Sequence, residues 1–348
     1  MNGRPKTVLC EALSEEDAEA FDAFAAANPR AAYQQSRAWA ENAPRGRRHR
    51  FLYFLCREGD AVIGAAIVRR TRLAPGAILA TVQRGPLVRD LADLARGVEA
   101  LGRALEALGC CTLILGPRFT GEERAAAQAA LAGLRFKPLP AEAQALHGVT
   151  GIVPLDADEP AVLARFKQRG RRAIRKAEQA GLVVREAGEA DFAACQTLLD
   201  AFHQARPEYD PSGQPDVIAQ ARMVAALGGA LLVAEHEGRI VGWHSFVRQG
   251  GSGIWLGLAT DDDPRLPRSY LLLWEAMRRG RAIGLSRYDL AGLAAEGEES
   301  GRDQFKTAFD PAREHLLPAS VRALKPLRHA LFFTARTLYR RLRARQRG

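Results

Sequence analysis

The stretches Arg57–Arg69, REGDAVIGAAIVR, and His236–Arg248, HEGRIVGWHSFVR, decide how this 348-residue chain is read. Each opens on a basic side chain and a Glu-Gly turn and then runs into small and β-branched residues, joined in the second by Trp243 and Phe246, the pattern of a hairpin with a buried second strand. The segments after the two hairpins are also alike. After the first come a strand within Ile78 to Val88, a helix from Leu91 to Leu108 and a strand from Cys111 to Leu115. After the second come a strand from Ile254 to Leu258, a helix from Ser269 to Ile283 and a strand at Tyr288 to Leu290. Gly64 and Leu113 stand 49 positions apart, Gly242 and Tyr288 46. Self-similarity on this scale predicts a duplication, so the expected class is α/β (α+β) with two tandem domains, each a mixed β-sheet flanked by helices. The expected boundaries are 1–155, closed by a strand near Gly151 to Pro154, then 156–318, then a basic tail at 319–348.

Composition bounds the function. Hydrophobic residues at 47% and charged residues at 26% are those of a globular protein, and no apolar run approaches the roughly 20 residues that span a bilayer. The N-terminal MNGRPKTVLCEALSEEDAEA carries acids early and has no apolar core, which predicts a cytoplasmic protein. Five cysteines, an odd number without a CxxC pair, argue against a disulfide framework and a zinc ribbon. Histidines 49, 147, 203, 236, 244, 315 and 329 show no ligand spacing, so no metal is expected, and no serine sits in a GxSxG elbow. The net charge of +10 is concentrated. From Ser320 onward there are nine Lys or Arg and no acid, which leaves the first 319 residues near +1. A non-catalytic RNA-binding protein is one reading of that charge, but the body lacks a single-strand stacking motif.

Further helices are predicted from Ser14 to Ala27 with Ser14 as N-cap, over Tyr33 to Ala40 carrying Trp39, from Glu122 to Leu134 and from Asp191 to His203. The loop HQARPEYDPSGQP after the last of these is expected to line a cleft. Apolar positions Val321, Leu324, Leu331, Ala335, Leu338 and Leu342 predict a basic amphipathic tail helix, suited either to the inner face of the cytoplasmic membrane or to packing on the body.

Two stretches carry candidate chemistry. In Arg287–Phe309, RYDLAGLAAEGEESGRDQFKTAF, a strand containing Tyr288 and Asp289 opens onto a Gly- and Glu-rich loop and then meets Phe305-Lys306. A lysine between Phe305 and Phe309, partly desolvated, stabilises an oxyanion or binds phosphate; alternatively it only extends its stem across an apolar patch. Asp289 or a glutamate of the loop at 294–302 is the candidate proton acceptor, with Trp255 and Tyr270 as candidate lining. In Arg165–Lys176, RFKQRGRRAIRK, seven of twelve residues are basic. The run is either a solvated helix face or a clamp on phosphates through Arg171, Arg172 and Arg175.

From about Gln35 to Pro318 the chain resembles the FemABX peptidoglycan aminoacyltransferases and their Gram-negative relatives. The matching pieces are QSRAW at Gln35 to Trp39, RGPLV at Arg84 to Val88, RRAIRKAEQAGLVV at Arg171 to Val184, IWLGLAT at Ile254 to Thr260, SYLLLWEAMRRGRAIG, YDLAGL and QFKTAF, in that order. The resemblance implies two tandem GNAT-like domains and transfer of an amino acid from aminoacyl-tRNA to an amine of a peptidoglycan precursor, without a cofactor. It also implies that Lys306 lies at the active site and that Arg171, Arg172 and Arg175 lie near the cleft for a phosphorylated precursor; Phe305, Arg84, Trp39 and Tyr288 are further candidates for substrate contact. The long coiled-coil arm of Gram-positive members is lacking. An acyl-CoA-dependent N-acyltransferase is the rival reading. Against it, Asp261–Ser269, DDDPRLPRS, has no glycine and two prolines where the CoA pyrophosphate would rest on backbone N–H groups.

Overall fold

A computed structural model describes residues 5–44, 48–205, 215–263, 265–294 and 301–331. The chain runs β1 (Lys6–Cys10), α1 (Glu15–Ala27), α2 (Arg37–Asn42), β2 (His49–Glu58), β3 (Ala61–Ala74), β4 (Ala77–Gln83), β5 (Leu87–Val88), α3 (Asp93–Ala107), β6 (Thr112–Gly116), α4 (Glu123–Gly133) and β7 (Lys137–Pro138). It continues through β8 (Val149–Pro154), α5 (Glu159–Arg165), α6 (Gln168–Gln179), β9 (Val183–Glu186), α7 (Phe192–Gln204), α8 (Val217–Leu227), β10 (Ala230–His236), β11 (Arg239–Gln249) and β12 (Ser252–Thr260). Last come α9 (Arg268–Ala282), β13 (Arg287–Gly292), α10 (Gly301–Lys306), β14 (Ala312–His315) and β15 (Ser320–Ala323).

These elements form two compact units, Met1–Arg37 with Arg45–Leu146 and Leu316–Gly348, and Ala38–Pro44 with His147–His315. The first holds a sheet ordered β1-β2-β3-β4-β6-β15-β7, with β5 paired to β3; the second holds β14-β8-β13-β12-β11-β10-β9. The duplication is plain in the pairing. In each unit a hairpin is joined antiparallel by a third strand, and a helix then returns the chain to a parallel fourth: β2, β3, β4, α3, β6 and β10, β11, β12, α9, β13. Leu94, Val98, Leu101 and Leu105 of α3 pack on Phe54, Val68 and Leu113 of the first sheet. In the second, Leu272, Trp274 and Met277 of α9 join Ile174 of α6 over Phe246 and Tyr288.

Local periodicity misplaced both ends of the repeat. The strand expected to close the first domain, β8, pairs with β13 and β14 of the second sheet. The first sheet is completed from the far end of the chain, where β15 pairs with β6 and β7. Val321 therefore lies in a strand, not in a tail helix, because the edge of the buried strand β6 needs a hydrogen-bonding partner. Helix begins only at 326 and is described to 331; Ala335, Leu338 and Leu342 lie outside the described residues. Among the described residues no helix is long and apolar enough to cross a membrane.

The expected helix over Tyr33 to Ala40 is broken at Ser36 into a 3₁₀ turn (Tyr33–Gln35) and α2. The break seats Gln35 in the core: its amide donates to the Gln83 carbonyl (2.7 Å) and accepts from Ile67 N–H (2.8 Å). Gly85 packs directly on that amide, and a Cβ there would stand 2.6 Å from Gln35 Cδ. The QSRAW and RGPLV stretches thus meet as a packing joint of the first unit.

Candidate active site where β12 and β13 part

The two copies of the repeat differ at their parallel pair. In the first unit β4 and β6 stay paired over five residues, from Leu79–Thr112 to Gln83–Gly116. In the second, among the described residues, β12 and β13 pair only where Ser252 to Ile254 face Arg287 to Asp289. Beyond that β13 bulges between Asp289 and Gly292, and Ala291 takes a left-handed conformation (φ 59°). Such a conformation costs a non-glycine residue about 1 kcal/mol. Asp289 offsets it: its carboxylate accepts the Ala291 N–H (2.8 Å) and the Thr150 hydroxyl of β8. The strands therefore part at Trp255, and residues Trp255 to Leu258 are half-buried, with the β12 edge that faces β13 outside the ladder. An unpaired strand edge is a natural seat for a ligand's polar groups.

Lys306 is aimed at this parting. It ends α10, its Nζ donates to the Gly292 carbonyl (2.7 Å), and it lies 4.9 Å from the centroid of the Trp255 ring. The side chain is buried, so carbonyl and ring face replace water around the ammonium. The phenylalanines on either side lock it in place. Phe305 meets Tyr270 edge-on at 4.8 Å, and Phe309 stacks on Tyr270 at 5.8 Å and meets Phe166 at 5.0 Å. Trp255, Tyr270, Phe305 and Lys306 are thus brought together as expected of one site.

Behind Trp255 sits a group that sequence spacing passed over. His244 of β11 is fully buried, with Nδ1 2.7 Å from the Gly257 carbonyl and Nε2 2.6 Å from the Tyr288 hydroxyl. A carbonyl only accepts, so the ring is protonated on Nδ1 and Tyr288 donates to Nε2. Its ring packs edge-on against Trp255 at 4.8 Å. Burial pushes the His244 pKa down to about 3, and the Lys306 charge adds to the effect. Tyr288 is correspondingly a core residue, its hydroxyl pushed up by burial and engaged by His244; the expectation that it lines the substrate site is corrected.

The sign of the resulting pH dependence is fixed. Unfolded, the imidazole takes a proton near pH 6.5; folded, it refuses one until about pH 3. The stability associated with the neutral ring is therefore present above pH 6.5 and is lost as pH falls, at about 1.4 kcal/mol per pH unit. Urea unfolding at pH 7 and pH 5 should show wild type losing about 2 kcal/mol more than His244→Gln. Equal losses would mean that His244 is not buried neutral.

The arginine-rich segment is α6, and it is fastened to the lysine-bearing turn. Arg169 donates to the Gln304 carbonyl (2.7 Å) and the Thr307 hydroxyl (2.6 Å), and Lys167 N–H to the Ala308 carbonyl (3.0 Å). Gly170 permits the approach, since a Cβ would stand 2.7 Å from Ala308 O. Arg171 differs from its neighbours: its Nη1 donates to the carbonyls of Ala164 (3.0 Å) and Phe166, capping α5. Arg172, Arg175 and Lys176 are exposed at helical spacing on one face. Arg84 is buried in the first unit, and Trp39 is buried on α2 in the second. Most of the Glu-rich loop after β13 (295–300) and of the loop expected to line a cleft (206–214) lies outside the described residues.

At the start of α9 the chain folds around a cation. Arg268 is buried, donates to the carbonyls of Leu266 (2.6 Å), Asp263 and Asp261, and ion-pairs with Asp261. The turn thus aims carbonyls and a guanidinium inward, where a bound pyrophosphate would need outward N–H groups. Arg268 and Arg169 were invisible to composition, which counts charge and not direction.

Comparison with known proteins agrees with this architecture. A family model described as an acetyltransferase (GNAT) domain matches residues 164–307. No curated protein matches the sequence. Among solved structures, FemX shares the fold with a TM-score of 0.78 at 14% identity, over 94% of this chain and 99% of that one. L-PGS from Bacillus licheniformis matches with a TM-score of 0.60 at 13% identity, over 94% and 97%. A tandem GNAT protein from the clavulanic acid biosynthesis pathway, solved without AcCoA, matches with a TM-score of 0.53 at 16% identity, over 92% and 98%. The fold is the tandem GNAT fold.

Proposed function

We propose that the chain is an aminoacyltransferase that moves an amino acid from aminoacyl-tRNA to an amine of a peptidoglycan precursor or a similar envelope acceptor. The observation that carries this reading is the Lys306 ammonium, held between the Gly292 carbonyl and the Trp255 face where β12 and β13 part. An aminoacyl ester is already activated. Transfer needs an unprotonated amine placed against the carbonyl and a positive charge for the tetrahedral oxyanion; the C–N bond then forms as the C–O bond to the ribose breaks and the ribose oxygen leaves with a proton. Lys306 supplies the charge. Asp289, committed to the bulge, positions Ala291 and Gly292 and through them Lys306.

Arg172, Arg175 and Lys176, on a helix tied to the same turn by Arg169, suit a phosphorylated acceptor. Arg172→Glu with Arg175→Glu is expected to raise the acceptor KM at least tenfold while kcat is kept, with the effect shrinking at high salt. A change in kcat alone would remove these arginines from acceptor binding.

The donor is tested by incubating the protein with charged tRNA or acyl-CoA and a panel of precursor amines, read by the mass of the acceptor. A gain of one aminoacyl residue from charged tRNA supports the reading. Product from the thioester alone would establish the rival N-acyltransferase, which the acetyltransferase family match favours and the Arg268-filled turn before α9 disfavours.

A further inference from the structure

We propose that one end of the first unit's sheet is a docking surface for an anionic lipid membrane. On the hairpin of β2 and β3, Arg50 stands directly opposite Arg70, and one step further Arg72 N–H bonds to the Arg48 carbonyl (2.9 Å). The period of two places Arg48, Arg50, Arg70 and Arg72 on one face, in two successive cross-strand pairs. Like charges facing each other across a ladder, with Cβ atoms about 5 Å apart, destabilise it. Elsewhere on this unit Arg30 pairs with Glu123, Arg57 with Asp17 and Arg96 with Glu58, whereas no ion pair to an acid forms at Arg48, Arg50, Arg70 or Arg72 among the described residues. A fold that keeps such an array fits a multivalent anion.

Apolar side chains decide which anion. Arg70 reaches the carbonyl of Leu108 (3.5 Å), where α3 ends, and Leu108 is 45% exposed. Leu324 and Lys325 N–H bond to the Cys111 carbonyl at the same end, and the charges of Arg70 and Lys325 both act on the Cys110 thiol. The helix at 326–331 folds over this end, held by His329 to the Thr112 hydroxyl (2.8 Å), and leaves Leu327 and Leu331 83% and 73% exposed, one turn apart. Exposed leucines set among arginines and a lysine are the composition of an interfacial surface, apolar groups entering the acyl boundary and cations meeting headgroups. RNA would use the same charges, but the exposed large apolar side chains of the described residues include no aromatic ring on which a base stacks.

The test uses full-length protein sedimented with vesicles of phosphatidylcholine, or of an equimolar mixture with phosphatidylglycerol. Truncation before Ser320 is unsuitable because it removes β15 from the sheet. Wild type is expected to bind the anionic vesicles and not the neutral ones. Arg50→Gln with Arg72→Gln is expected to bind about 25-fold more weakly, at roughly fivefold per charge, and to melt no lower than wild type because the repulsion across the hairpin is relieved. Leu327→Gln with Leu331→Gln, at exposed positions, is expected to weaken binding with folding unchanged, and decides the matter should the arginine variant unfold. Both variants should keep wild-type kcat on a soluble acceptor, which separates this surface from the transfer site. Undiminished vesicle binding by both variants, or wild type binding tRNA but not vesicles through these arginines, would overturn the proposal.

Discussion

Lys306→Ala is expected to lower kcat for acyl transfer by about 10²–10³-fold, the usual loss when a group that stabilises a developing oxyanion is removed. The fold should survive. The substitution leaves the Gly292 carbonyl without its donor, worth about 1 kcal/mol, so the melting temperature should fall by only about 2–4 °C. Lys306→Met separates charge from packing, since it keeps an unbranched stem against Trp255 and loses the ammonium. It should be as inactive as the alanine variant. Substantial turnover by the methionine variant would assign Lys306 a packing role only.

Arg268→Ala is the second large effect, and it falls on stability. One buried guanidinium serves the carbonyls of Asp261, Asp263 and Leu266 as well as the Asp261 carboxylate. Its removal strands these acceptors at the start of α9, which places the loss at about 3–5 kcal/mol. Arg268→Lys should recover little, because a single ammonium cannot reproduce the planar fork that reaches several carbonyls at once. Urea unfolding gives the number, and a loss below about 1 kcal/mol would mean that the turn holds its shape without Arg268.

The parts of this fold that sequence reveals are those governed by local pattern. The two hairpins announce themselves through a Glu-Gly turn and a buried second strand, and the helix after each third strand through its apolar stripe. Pairing between distant segments leaves no such mark. Nothing in Val149–Pro154 says that it will join the second sheet, nor in Ser320–Ala323 that it will return to the first. The site shows the same division. Phe305-Lys306 stands out as a cation in an aromatic patch, and the basic run stands out as charge, but composition cannot say which way each arginine points. Arg169 and Arg171, two positions apart on one helix, each turn to backbone carbonyls, while Arg172 and Arg175 stay exposed. His244 carries no ligand spacing; its only signal was a polar pair, His244-Ser245, in the apolar middle of a strand. The parting of β12 from β13 depends on a three-residue register and one bulge, both properties of the folded sheet.

That the Lys306 ammonium acts on the reaction as a charge at the parting is tested most directly by chemical rescue of Lys306→Cys in the full-length protein. The cysteine variant is assayed before and after alkylation with 2-bromoethylamine, which rebuilds an ammonium at almost the original length, or with iodoacetamide, which adds a neutral amide; the mass of the protein confirms each modification. The account predicts an inactive cysteine variant, recovery of transfer with the aminoethyl group, and none with the amide. Full activity of the unmodified cysteine variant, or equal recovery with both reagents, would contradict it.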